Sequence, residues 1–135
     1  TKIRQTDLVM RLHSTWGSDE YMEALSKFMM AEFKDYNDYK KKYVPSPTGW
    51  SDKPEVIALG KIGTFFQGVG VLLQMRLVDI DFAKRLFGRS IVYTWEKMKP
   101  IVEGYRRERY PQMFADFEYL YNEVKKKEQR GVING

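Results

Sequence analysis

Apolar residues recur along this chain with a period near 3.6, and no stretch alternates with the period of two that a half-buried strand requires. Residues 2–15 read as a basic, weakly amphipathic helix with Leu8, Leu12 and Trp16 at i, i+4 and i+8. "GSDE" then supplies a start signal, with Ser18 or Asp19 as N-cap and acidic residues in the first turn. The following helix is expected to run to about Lys42. Its apolar positions, from Tyr21, Leu25 and Phe28 to Phe33, Tyr36, Tyr39 and Tyr43, fall within about 120° of arc.

"VPSPTGWSDKP" (Val44 to Pro54) is the one long loop, punctuated by prolines and a glycine. Asp52 with Glu55 resembles a capping box, and Pro54 suits the first turn of a helix running from about 54 to 76. Asp79 or Asp81 should cap a short helix closed by Gly88, and Ser90 should begin another. The latter turns Ile91, Trp95, Met98, Val102 and Tyr105 inward and places Pro100 on its outer face, where a kink is expected. Pro111 opens the last helix, with Met113, Phe114, Phe117, Leu120, Tyr121 and Val124 inward, and 131–135 reads as a frayed tail. The expectation is a single all-α domain over residues 1–135. It is a compact bundle of five to six helices, with a central glycine-containing helix (Val56 to Met75) and the last two helices antiparallel.

That central segment contains "FFQGVGVLLQM", Phe65 to Met75. A dinucleotide loop needs a preceding strand, three spaced glycines and a helix that begins at the loop. Only Gly68 and Gly70 fit, and the run before them is already helical. On a helical wheel Leu59, Ile62, Phe66, Val69 and Leu73 make one apolar face, and Gly63 and Gly70 fall together on its flank. Gly60, Thr64, Gln67, Gly68 and Val71 lie away from that face. Four glycines inside a helix cost ~1 kcal/mol each relative to alanine, so something should offset roughly 4 kcal/mol. Two explanations follow: close packing against Gly63 and Gly70 inside the domain, or an interaction face along Gly60, Thr64, Gln67, Gly68 and Val71.

Composition removes several chemistries. With no cysteine, disulfide scaffolds, thiolate zinc sites and cysteine nucleophiles are absent, and His13 as the sole histidine removes His-pair metal sites and His-based triads. "DID" at 79–81 lacks the glycine and distal glutamate of a calcium loop. No uninterrupted run approaches 18 apolar residues, so no membrane-spanning segment is expected. No metal or cofactor is expected either, nor an enzymatic motif. Hydrophobic residues at 43% support a real core. The net charge of +5 implies solubility with a mild attraction to anionic surfaces.

Two side-chain groups warrant attention. Glu32 falls within the apolar arc of its helix with Asp35 close by, so both are candidate buried polar groups, held by a tyrosine or arginine or, alternatively, serving an enzyme. Arg106, Arg107 and Arg109 with Lys125, Lys126 and Lys127 form a candidate basic patch for nucleic acid or an anionic membrane surface. The interleaved acids and missing binding motifs argue against nucleic acid.

Three stretches, "EFKDYNDYKKKY", "FFQGVGVLLQMRLVDIDFAKRLFG" and "YTWEKMKPIVEGYRRERYPQMFADFEYLYNEVKK", resemble an uncharacterised prokaryotic family of domains of unknown function. The likeness extends from about Arg4 to Arg130. It implies an all-helical domain with no assigned activity, often following N-terminal transmembrane helices. Lys2, Arg4 and Arg11 would then lie beside the bilayer on its cytoplasmic side, and this chain would be part of a longer, membrane-tethered protein. The expected function is a non-enzymatic, cytoplasmic, membrane-proximal domain that self-associates or binds a protein partner.

Overall fold

Trp16 marks the junction of three helices. Its ring lies 4.6 Å from that of Phe66, 5.2 Å from that of Phe65 and 5.9 Å from that of Tyr21. In the computed structural model, which describes residues 2–134 with side chains over 4–130, the chain forms six α-helices and, among the described residues, no strand. These are α1 (Lys2–Trp16), α2 (Asp19–Met30), α3 (Tyr36–Tyr43), α4 (Pro54–Gln74), α5 (Ile80–Glu108) and α6 (Ala115–Asn134). Side chains of the expected tail, 131–135, lie outside the described residues.

α4 packs against α2, α5 and α6, while α5 also packs against α1 and α3. Between them they bury Leu59, Ile62, Phe66 and Val69 of α4, Phe87, Ile91, Trp95 and Met98 of α5, and Phe117, Leu120 and Val124 of α6. This is the inward pattern that the 3.6 period predicts. α5 and α6 run antiparallel: Arg106 pairs with Glu118, Trp95 meets Tyr121, and Asp81 pairs with Lys127.

The structure corrects four boundaries. The helix expected over 19–42 is broken: α2 stops at Met30, Ala31 takes an extended backbone, and α3 begins only at Tyr36. Lys97 of α5 ends α2 from outside. Its ammonium donates to the carbonyls of Met29 (2.7 Å) and Ala31 (2.6 Å), between the rings of Phe28 and Phe33. Burial holds this lysine below its usual pKa. The two helices expected to meet between Gly88 and Ser90 are one continuous α5. Gly88 is buried inside this continuous helix, where a Cβ would make ordinary contact with Lys84 and with Val124 of α6, so it is not a terminus.

The α4 N-cap is Lys53, with no side-chain capping bond, and not Asp52; Ser51 Oγ instead accepts from the Lys53 amide at 3.2 Å. Pro111 does not open a helix. Residues 111–114 form a turn in which Phe114 takes a left-handed backbone (φ 51°), and α6 starts at Ala115.

α4 is also long and apolar enough to cross a membrane by length and composition. Counting uninterrupted apolar residues missed this, because Lys61, Gln67 and the glycines break the run without much lowering its average. A helix that contributes to a soluble core has the same composition.

Candidate functional site

The four glycines of α4 divide into two kinds. A Cβ on Gly63 would fall into the ring of Phe114, and one on Gly70 would fall onto the backbone carbonyl of Asp116, each closer than 3.0 Å. These two are the close-packing glycines, and α6 with its leading turn is what they admit. Between them on the same flank, Gln67 is consumed by the fold. Its Oε1 accepts the amides of Asp116 and Phe117, both at 3.0 Å, and its Nε2 donates to the Asp116 carboxylate at 2.6 Å. Gln74 donates to the same carboxylate. Gln67 therefore caps the N-terminus of α6 from another helix and leaves the candidate interaction face.

Gly60 and Gly68 differ. Nothing lies within 4 Å of a Cβ on either. With Ile57, Thr64 and Val71 they form one stripe spanning about 80° of α4. Thr64, Gly68, Val71 and Ile57 are all exposed. At its N-terminal end the stripe opens into an apolar groove of about 290 Å³ walled by Trp50, Ile57, Gly60, Tyr105, Tyr110 and Phe114, among others. Trp50 is 72% exposed at its rim.

Sequence reasoning found Gly60, Thr64, Gly68 and Val71 but missed Trp50, Ile57 and Tyr110. A tryptophan inside the otherwise polar "PSPTGWSDK" loop was the available signal. The loop is pinned by Tyr105, whose hydroxyl donates to the Gly49 carbonyl at 3.3 Å, and by Arg109, whose guanidinium donates to the Thr48 carbonyl. Gly49 takes φ +81°, which favours glycine.

The candidate buried carboxylates are not buried. Glu32 is exposed in the link after α2, and its amide and carbonyl, not its carboxylate, meet Tyr43. Asp35 is exposed and caps α3, accepting from the Asp38 amide at 2.8 Å. The helix break takes Glu32 off the apolar arc and makes Asp35 a cap, so the enzyme reading built on them has no buried group to rest on.

A larger groove, about 780 Å³, lies between α3, the 44–49 loop and the end of α5. At its centre Glu108 accepts from the Tyr36 hydroxyl (2.7 Å) and the Lys40 ammonium (2.6 Å). The bond from Lys40, then that from Tyr36, holds the Glu108 carboxyl below its usual range. Glu108 and Lys40 are thus already matched to each other within the chain.

The basic patch does not form as a unit. Arg106 donates to the Met113 carbonyl and pairs with Glu118, and Arg109 is committed to Thr48. Lys125, Lys126 and Lys127 pair with Glu128, Glu123 and Asp81. Because α5 and α6 are antiparallel, the arginines and the lysines sit at opposite ends of α5. Asp81 and Arg106 are separated by about 37 Å at 1.5 Å per residue. His13 is exposed, its ring 6.0 Å from that of Phe87.

An all-helical domain with an open small-residue face on one helix is the class these features define. The chain belongs to the DUF4760 family, a domain of unknown function, which it matches over residues 2–124. No curated protein and no solved structure matches it.

Proposed function

We propose that this domain is a non-enzymatic interaction module that self-associates along the outer stripe of α4, from the Trp50 groove through Gly60, Thr64 and Gly68 to Val71. The observation that carries the reading is the empty space at Gly60 and Gly68. A helix-interior glycine costs about 1 kcal/mol relative to alanine, and nothing within the chain uses the missing side chains at these two positions. A second helix laid on the stripe would use them, because small residues let backbones approach closely. Exposed Ile57, Val71 and Trp50 supply apolar area on either side.

Light scattering across concentration tests this. The wild-type chain is expected to reach twice its 16.0 kDa mass, and Gly68→Leu to stay at 16.0 kDa while keeping a cooperative melting transition. A strict monomer at every concentration and ionic strength would remove the proposal. Since position 68 is open, Gly68→Leu should fold.

A further inference from the structure

The turn between α4 and α5 exposes apolar side chains at a basic end of the molecule. Met75 is 63% exposed, Leu77 47% and Phe82 36%. Between Met75 and Leu77 stands Arg76 with φ 61°. The turn is a Schellman motif: the Arg76 amide bonds to the Leu73 carbonyl at 3.1 Å and the Leu77 amide to the Leu72 carbonyl at 2.9 Å. Its left-handed position is the one glycine usually fills, and a long cation held there against preference is a strained residue of the kind that clusters at functional sites.

The surrounding charge is net positive, although Lys125, Lys126 and Lys127 are paired to Glu128, Glu123 and Asp81. Residues 75–89 and 119–130 meet at this end, joined by the Lys127–Asp81 pair and by a groove lined by Leu73, Ile80, Tyr119 and Lys126. Together the two segments hold eight basic and four acidic side chains, an excess of +4 within a chain of net +5. Lys84, Arg85 and Arg89 line an adjoining groove beside Tyr93, which is exposed.

We infer that this end docks on an anionic lipid surface, with Met75, Leu77 and Phe82 entering the interface and the cations facing lipid headgroups. Charge alone would suit any polyanion. The exposed aliphatic and aromatic knuckles select a bilayer, because they gain nothing from a phosphate backbone but leave water on entering the acyl boundary. Cations near an anionic leaflet each strengthen binding, by about fivefold per residue. The inference does not depend on what α4 docks: a monomer would bind in the same way.

The chain has no cysteine, so Met75→Cys carries a single environment-sensitive fluorophore. Its emission is expected to shift to the blue with vesicles of phosphatidylcholine and phosphatidylglycerol, and not with phosphatidylcholine alone. An unlabelled Leu77→Gln/Phe82→Gln chain, unchanged in charge, should partition at least tenfold more weakly in co-sedimentation. Arg76→Gln/Arg85→Gln should lose roughly 25-fold, with the melting temperature of each variant checked. An unshifted probe, or undiminished partitioning of the Leu77/Phe82 variant, would overturn the proposal. So would a duplex oligonucleotide that binds the wild-type chain and the Leu77/Phe82 variant equally and as tightly as the vesicles do.

Discussion

Gln67 Oε1 accepts hydrogen bonds from the backbone amides of Asp116 and Phe117, each 3.0 Å away, so a side chain in the middle of α4 caps the start of α6. A helix N-terminus leaves several amides without intrahelical partners; in α6 the Ala115 amide is met by the Gln112 carbonyl of the preceding turn, and those of Asp116 and Phe117 by Gln67. Replacing Gln67 with leucine orphans two amides and strips a donor from the Asp116 carboxylate. Loss of a cap costs about 1 kcal/mol and loss of a bond to a charged group about 1.5 or more. Urea denaturation of Gln67→Leu should show a loss of roughly 2–3 kcal/mol. A loss below about 0.5 kcal/mol would mean that water caps α6 equally well.

The α4 glycines should separate cleanly in an alanine series. At Gly70 the obstacle is the Asp116 backbone, which cannot swing away, and at Gly63 it is the Phe114 ring. Gly70→Ala should destabilise by about 3 kcal/mol or more and Gly63→Ala by somewhat less, since a half-buried ring yields more readily than backbone. Gly60→Ala and Gly68→Ala meet nothing and should each stabilise the monomer by up to ~1 kcal/mol. Melting temperatures of the four variants order the series directly.

Local pattern carried the core and failed where a distant residue decides. Ile62, Phe66, Ile91, Trp95, Phe117 and Leu120 were legible because each sits on a 3.6-residue stripe, and all are buried. The break after Met30 was not legible from hydrophobicity, because Tyr21, Leu25 and Phe28 before it and Phe33, Tyr36, Tyr39 and Tyr43 after it keep one helical spacing. Lys97, which ends α2, lies 66 residues beyond Ala31. One signal was present and passed over. In "KDYND" the Asp35 carboxylate accepts from the Asp38 amide and the Asp38 carboxylate accepts from the Lys34 amide, a reciprocal cap that marks a helix start. Gly88 and Ser90 misled in the other direction, since a glycine buried inside a helix looks in sequence like one that ends it. The Gln67 cap bridges 49 residues and has no local trace.

Arg76 holds a left-handed backbone that a side chain disfavours by about 1 kcal/mol. Arg76→Gly should therefore raise stability by about that much in urea, with the Schellman bonds unchanged. If the residue serves the lipid surface, the same variant should bind anionic vesicles about fivefold more weakly. A stabilised variant that keeps full vesicle binding would separate Arg76 from that role.

The tyrosines of the α3–α5 contact predict alkaline behaviour. Burial pushes the Tyr39 hydroxyl well above its usual 10, and burial followed by the bond to Glu108 does the same for Tyr36. Tyr121 is pushed up to about 12, by burial first and then by its bond to Glu96. In the unfolded chain these groups ionise near pH 10, while in the fold they keep their protons to higher pH. Above about pH 10 the native state binds more protons than the unfolded state, so stability falls as pH rises. Below that range the contribution is fully present. Melting temperature should be level from about pH 7 to 9 and drop steadily from about 10 upward. Tyr39→Phe should flatten part of that drop, and at neutral pH it should cost nothing or stabilise, because the Tyr39 hydroxyl is buried with no hydrogen-bond partner. Tyr36→Phe should instead cost about 1 kcal/mol at neutral pH through its lost bond to Glu108. Equal losses from the two variants would mean that the Tyr39 hydroxyl finds a partner in solution.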